Sequence, residues 1–208
     1  VSFQFDTAWR LGLTGRNGRG KTTFLRLLMG QYPYSGNITA QVAFEYFPDP
    51  VSHPEEFTID VLREIAPEAE DWQLMRELGL LEVSDDALWR PFETLSFGER
   101  TKSLLAALFL KENAFLLIDE PTNHLDAASR ERLAAYLRKK QGFLLVSHDR
   151  ALLDGCVDHI LAINRTNIEL QRGNFSSWWQ NKALQDRFEL AENERLKADI
   201  RRLSASAR

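Results

Sequence analysis

Three stretches of this chain end an apolar run in residues suited to phosphate chemistry. The first is GRNGRGKT, Gly15 to Thr22, set between the apolar run Trp9–Thr14 and a helix-forming segment that starts at Lys21. Gly15, Gly18 and Gly20 let the backbone curl so that successive N–H groups point inward at phosphate oxygens, with the positive end of the following helix behind them. Lys21 is then placed to reach β- and γ-phosphates, and the Thr22 hydroxyl to ligate Mg2+. The plain alternative is a glycine-rich turn, but strand, spacing, Lys and Thr all match the phosphate loop.

The second stretch is FLLIDEPTNHLD, Phe115 to Asp126. Four apolar residues predict a buried strand with Asp119 at its carboxyl end, where open α/β sheets bind their ligands. An acid there can hold Mg2+ opposite Thr22. The next residue, Glu120, can orient and polarise a water beside a γ-phosphate. The third stretch, LLVSHD from Leu144 to Asp149, repeats the design. Of four histidines, His148 alone sits at the carboxyl end of a predicted central strand. It could reach the γ-phosphate or the attacking water.

A fourth stretch, LSFGERTKSLLAALFL, starts like an ordinary helix. Ser96 and Glu99 have capping-box spacing, and leucines and alanines follow at helical intervals. Gly98 is out of place there, because glycine in a helix costs about 0.5–1 kcal/mol against alanine. Either Ser96 is satisfied by the capping box and Gly98 is incidental, or the pair makes room for a ligand.

These residues need elements to position them. The chain has 208 residues, 44% hydrophobic and 27% charged, which suffices for one sizeable core with an appendage. It has no run of about 18 apolar residues and no signal-peptide progression at its start, so it reads as soluble. A single cysteine, Cys156, fits a reducing compartment, and the net charge of −4 argues against unaided adhesion to nucleic acid. Strands are expected near Trp9–Thr14, Val42–Phe47, Phe115–Ile118, Phe143–Val146 and His159–Ile163. Helices are expected near Lys21–Met29, Asp71–Leu78, Phe97–Lys111, Ala127–Lys139 and Arg150–Gly155. The alternating VSFQF at the start suggests a half-exposed antiparallel strand. From Trp178 the chain becomes a long charged helix whose stripe of Leu184, Phe188, Leu196, Ile200 and Leu203 fits a helix seeking a partner.

The phosphate loop, LSFGE, LLIDEP with NHLD, and SHD occur in the order of an ABC-type nucleotide-binding domain, and the chain from Ala8 to about Asn174 resembles that family. DEPTNHLD, and the long charged helix after the Trp-rich turn FSSWWQNK, make it similar to the ABC-F branch of translation-associated ATPases, particularly its antibiotic-resistance members. The resemblance implies an α/β P-loop NTPase of ABC type, with a mainly parallel central sheet, an N-terminal antiparallel β part, a small helical subdomain and a long C-terminal helix. It implies a nucleotide-binding domain over 1–174, with the helical subdomain inserted at about 58–111, and the start of an interdomain linker over 175–208.

By the same resemblance, ATP is bound by Gly15, Arg16, Asn17, Gly18, Arg19, Gly20, Lys21, Thr22 and Thr23, and Mg2+ by Thr22 and Asp119. Glu120 would be the catalytic carboxylate and His148 the γ-phosphate switch. Asp126 would belong to a loop linking two active sites, while Ser96 and Gly98 would meet the γ-phosphate bound on a second such domain. The implied partners are that second domain and the ribosome with tRNA, in the cytoplasm. The alternative is the ATP-binding subunit of a membrane transporter. Two departures stand out. Asp49 occupies the place where the family usually carries a glutamine that senses Mg2+ and water. The chain also begins only fourteen residues before Gly15, too late to assign an adenine-stacking residue. The abrupt start and the unpaired helix suggest one half of a tandem protein.

Overall fold

Strands apolar on both faces are stable only between two covering layers, and this chain builds its sheet that way. A computed structural model describes residues 3–15, 20–164 and 167–206. Arg16, Asn17, Gly18 and Arg19 of the phosphate loop lie outside the described residues. Five strands run parallel: β1 (Arg10–Thr14), β2 (Ala43–Phe47), β3 (Ala114–Asp119), β4 (Phe143–Val146) and β5 (His159–Ile163). A sixth, β6 (Ile168–Arg172), lies antiparallel against β5, and the order across the sheet is β2-β3-β4-β1-β5-β6.

The two-residue period of the strands divides the core. Leu11, Leu13, Phe115, Leu117, Leu144 and Val146 face one side, where they bury Leu25 of α1 (Lys21–Leu28). Leu116, Ile118, Phe143, Leu145 and Ile160 face the other. That second side is covered by α2 (Thr58–Ile65), α3 (Asp71–Leu80), α4 (Phe97–Leu108), α5 (Ala127–Leu137) and α6 (Arg150–Cys156). Gly12 shows how closely the layers approach. A Cβ there would sit 3.0 Å from Ile160 and 3.3 Å from both Leu153 and Val157, so a side chain would push α6 off the sheet.

Some sequence expectations need correction. VSFQF forms no strand over its described residues. Its alternation is real, since Phe3 and Phe5 turn inward and Gln4 outward, but no neighbouring strand offers it a ladder. The two rings pack instead on Phe24 and Phe115. The antiparallel strand is β6, at the other end of the chain. Helix α2 is not among the individually expected helices, although it falls within the expected helical stretch of about 58–111. Helix α4 stops at Leu108 rather than Lys111, because its end tightens into three-residue turns from Leu110 N–H to Ala107 and from Lys111 N–H to Leu108.

Helix α7 (Phe175–Ser206) leaves the sheet as a 32-residue element. Its start is fixed by Asn174, which accepts from Ser177 N–H, and by Asp154 of α6, which accepts from Ser176 N–H at 2.7 Å. Leu184, Phe188 and Leu196 are exposed along it, while the side chains of Ile200 and Leu203 lie outside the described residues. Among the described residues no helix is long and apolar enough to cross a membrane.

The helices beyond the sheet are tied to α5 by a buried acid. Glu77 of α3 is 1% exposed and accepts from the Tyr136 hydroxyl at 2.7 Å and from Lys140 at 2.5 Å. Burial opposes ionisation of Glu77, but the donations from Lys140 and Tyr136 outweigh it, so its pKa falls below the usual glutamate value. A depressed pKa means that stabilisation is complete above the unfolded-state value near 4.5 and is lost as pH falls below it. We expect Glu77→Gln to lower stability at neutral pH by about 2 kcal/mol. Urea denaturation as a function of pH checks this: the gap between native and variant should close in acid, and a gap independent of pH would contradict the assignment.

Candidate active site

The strand order decides which residues meet. β1, β4 and β3 are consecutive neighbours, so the loops leaving their carboxyl ends converge on one edge of the sheet. Gly20, Lys21, Thr22 and Thr23 from the first loop, Asp119 and Glu120 from the second, and Val146 and His148 from the third line one cavity of about 440 Å3. Gly20 caps α1 with φ of +81°, a left-handed conformation that glycine adopts without strain. The α1 N-terminus that follows presents unpaired N–H groups to an anion. Lys21 Nζ donates to the Gly15 carbonyl at 3.1 Å, so the start of α1 is tied to the end of β1.

Thr22 Oγ1 donates to Asp119 Oδ2 at 2.8 Å. The two expected Mg2+ ligands therefore stand together, and hydroxyl and carboxylate oxygens are the hard donors that this ion takes. A third group was missed in the sequence. Tyr46, on β2, donates its hydroxyl to the same Asp119 oxygen at 3.1 Å, and burial together with the neighbouring Asp119 charge pushes its pKa up to about 12. Tyr46 therefore stays protonated as a donor. The signal for it was faint: a tyrosine one residue from the end of the strand beside β3. Asp49 is not among the residues lining the phosphate cavity. It lies in a neighbouring groove with Glu45, Val51, Glu64, Ile65 and Lys111.

Glu120 is held in an unusual backbone state, with φ of +51°, which in a non-glycine residue costs about 1–3 kcal/mol and persists only where surroundings impose it. Its own N–H donates to the Val146 carbonyl at 2.8 Å, extending the β3–β4 ladder one residue past the strand. One carboxylate oxygen, Oε2, accepts from the His148 backbone N–H at 3.2 Å. The other, Oε1, is buried without a hydrogen-bond partner, 3.3 Å from His148 Nε2. Burial raises the pKa of Glu120, with the His148 N–H and ring pulling it back and Asp119 adding to the rise. A carboxylate on the wall of a phosphate-sized cavity, with its proton affinity raised, is suited to taking a proton from water.

Ser96, Gly98 and Asp126 assemble elsewhere. Ser96 is exposed and closes the capping box: its hydroxyl accepts from Glu99 N–H at 3.2 Å and donates to Glu99 Oε2 at 2.7 Å. Gly98 packs beside Leu125, and a Cβ there would come no nearer than 3.4 Å. The Phe97 and His124 rings, 5.1 Å apart, join this helix start to the loop between Glu120 and Asp126. Asp126 caps α5 by accepting from Ser129 N–H at 2.8 Å, which lowers its pKa. The capping box therefore forms as the spacing predicts, and none of these three residues lines the phosphate cavity.

The family model described as ABC transporter matches residues 1–123. The chain belongs to the ABC ATPase family. This ABC domain is 35% identical over 187 residues to the ribosome protection protein VmlR of Bacillus subtilis, covering 85% of this chain and 33% of that protein. It is 34% identical over 208 residues to the ATP-binding protein Uup of Haemophilus influenzae, covering 91% of this chain and 32% of that one. Similarity to these two proteins agrees with the ABC-F resemblance. The chain spans about a third of the length of these curated relatives. Among solved structures, the dimeric MJ0796, a bacterial ABC transporter cassette, aligns with a TM-score of 0.67 at 14% identity, covering 83% of this chain and 88% of that one. That likeness speaks for the fold.

Gly98 yields a test. Space for a methyl group exists, so nothing among the described residues requires glycine there. Gly98→Ala should leave the ABC domain as stable or raise stability by about 0.5–1 kcal/mol. Thermal denaturation reads this directly, and a large fall in Tm would mean that Gly98 serves packing within its own chain.

Proposed function

We propose that this chain is one half of a two-domain ATPase, binding Mg-ATP at the carboxyl edge of its sheet and hydrolysing it when a second ABC domain covers the site. The observation that carries the reading is the convergence of Lys21, Thr22, Asp119, Glu120 and His148 on one cavity. Lys21 gives up its Gly15 carbonyl and takes the β- and γ-phosphates. Thr22 and Asp119 would hold Mg2+, whose charge would neutralise the phosphate oxygens, and Tyr46 keeps Asp119 oriented. Glu120 Oε1 orients a water for in-line attack and accepts its proton as the γ-phosphoryl group leaves ADP. His148, whose ring flanks that oxygen, stabilises the charge that moves onto the γ-phosphate.

Two features support the need for a second domain. Ser96 and Gly98 sit outside their own cavity on an exposed helix start, and no packing constraint among the described residues explains the glycine. In this reading the Ser96 hydroxyl leaves Glu99 and, with the α4 N–H groups, meets a nucleotide held by the other domain. Asp126 lies on the loop that begins at Glu120, which puts the two half-sites in mechanical contact. Domain bounds of 1–174 for the nucleotide-binding part, with its helical subdomain at about 58–111, and 175–208 for a linker fit this arrangement.

We further infer a role on the ribosome, in a cytoplasmic protein. Similarity to a ribosome protection protein and the long charged α7 support it, and antibiotic resistance rests on that one named relative. The transporter reading has one observation in its favour, the groove between β2, α2 and α4 that holds Asp49, where a helix of a membrane partner could sit.

Two measurements decide. Steady-state ATP turnover by this chain should be slow, rise more than linearly with protein concentration, and vanish in Glu120→Gln; brisk turnover per molecule at high dilution would exclude a shared site. A two-domain protein carrying this chain with Glu120→Gln should pellet with ribosomes in the presence of Mg-ATP. Retention on membranes with no ribosome pelleting would favour the transporter subunit instead.

A further inference from the structure

Arg150 stands two residues after His148, at the first position of α6, and does not reach for a carboxylate. Among the described residues it forms no ion pair; its guanidinium lies over two aromatic rings of α7, 5.6 Å from the Phe175 centroid and 5.2 Å from that of Trp179. Those rings are one helical turn apart and nearly parallel, inclined by 17° with centroids 6.2 Å apart, so they present a ready seat for a planar cation.

The other side of Arg150 faces the nucleotide machinery. Thr14, Gly15, Lys21, His148, Arg150 and Phe175 line a second cavity of about 190 Å3 next to the phosphate site. Phosphate-binding lysine, strand-end histidine and the first residue of α7 thus share one space. Helix α6 is only seven residues long and is anchored at both ends. Asp149 caps its start by accepting from Leu152 N–H at 3.0 Å, and its Asp154 holds Ser176 of α7. A shift at His148 has little slack to dissipate in before it reaches α7.

We propose that Arg150 is a positioning residue that ties His148 and the phosphate site to the base of α7, so that a bound triphosphate changes how Phe175 and Trp179 pack. The physical basis is competition for one cation. Without an anion, Arg150 is held by the ring faces; a triphosphate beside Lys21 offers a stronger electrostatic partner and draws the guanidinium toward the cavity. The groups around it are Lys21 and His148 on the cavity side, Asp154 farther along α6, and Asp149, which Arg130 approaches at 3.7 Å. The aromatic pair then repacks, and the long helix leaves the domain at a different angle. This rests on the ATP-binding reading above.

Trp179 supplies the probe. Mg-ATP is titrated into the chain, binding is followed by calorimetry, and the Trp179 signal is taken as the emission difference between the native protein and Trp179→Phe. The native chain should bind Mg-ATP with an emission change that Trp179→Phe largely loses. Arg150→Gln should bind Mg-ATP within about fivefold of native affinity, as expected for an exposed charge, yet lose the emission change. Arg150→Lys should recover part of it. If Arg150→Gln does not fold, Arg150→Lys and Trp179→Phe still decide. Binding with no Trp179 response, or with a full response in an Arg150 variant, overturns this inference and leaves the ATPase reading standing. No calorimetric binding of Mg-ATP overturns both.

Discussion

The site depends on one constraint of parallel sheets: every strand delivers its following loop to the same edge. Because β1, β4 and β3 are immediate neighbours, three loops far apart in sequence reach that edge side by side. The Thr22–Asp119 hydrogen bond is the point of closure, joining residues 97 positions apart. Remove the adjacency and the lysine, the acids and the histidine would still exist, but on separate surfaces. The apolar alternation that buries Leu116 against one helical layer and Leu117 against the other is therefore a requirement of the chemistry as well as of stability.

A second level of organisation is the loop from Glu120 to Asp126. Its first residue is strained at positive φ, its middle carries His124 in the same region of backbone space at φ of +67°, and its last residue caps α5. Phe97 and Leu125 tie it to the start of α4. Glu120 and the exposed Ser96–Gly98 helix start are thus linked through one short, well-braced segment. Local strain there is imposed by the ladder bond from Glu120 N–H on one side and the Asp126 cap on the other.

Most of this was legible in the sequence wherever a residue type has a single physical use. Gly20, Lys21 and Thr22 in that spacing, and acids after a run of four apolar residues, have few other interpretations. Ser96 and Glu99 announced their capping box, which forms. Residues whose meaning comes only from a neighbour were not legible. Tyr46 matters because β2 pairs with β3 in the register that sets Phe47 beside Ile118, and no local pattern contains that pairing. Arg150 has meaning only because the fold sets the rings of Phe175 and Trp179 against it. The opening VSFQF shows the converse: its two-residue alternation is correct, yet alternation describes an extended chain and not a ladder. Asp49, assigned by position in a pattern, lies with the groove residues and not among those lining the phosphate cavity.

A triphosphate and its metal are proposed to sit at the strand ends between Lys21 and Asp119. Calorimetric titration of ATP into the chain, with and without Mg2+, tests it most directly when repeated on Asp119→Asn. The native chain should show saturable one-site binding that Mg2+ strengthens, and in Asp119→Asn that strengthening should be lost. Binding that responds equally to Mg2+ in both proteins would contradict it.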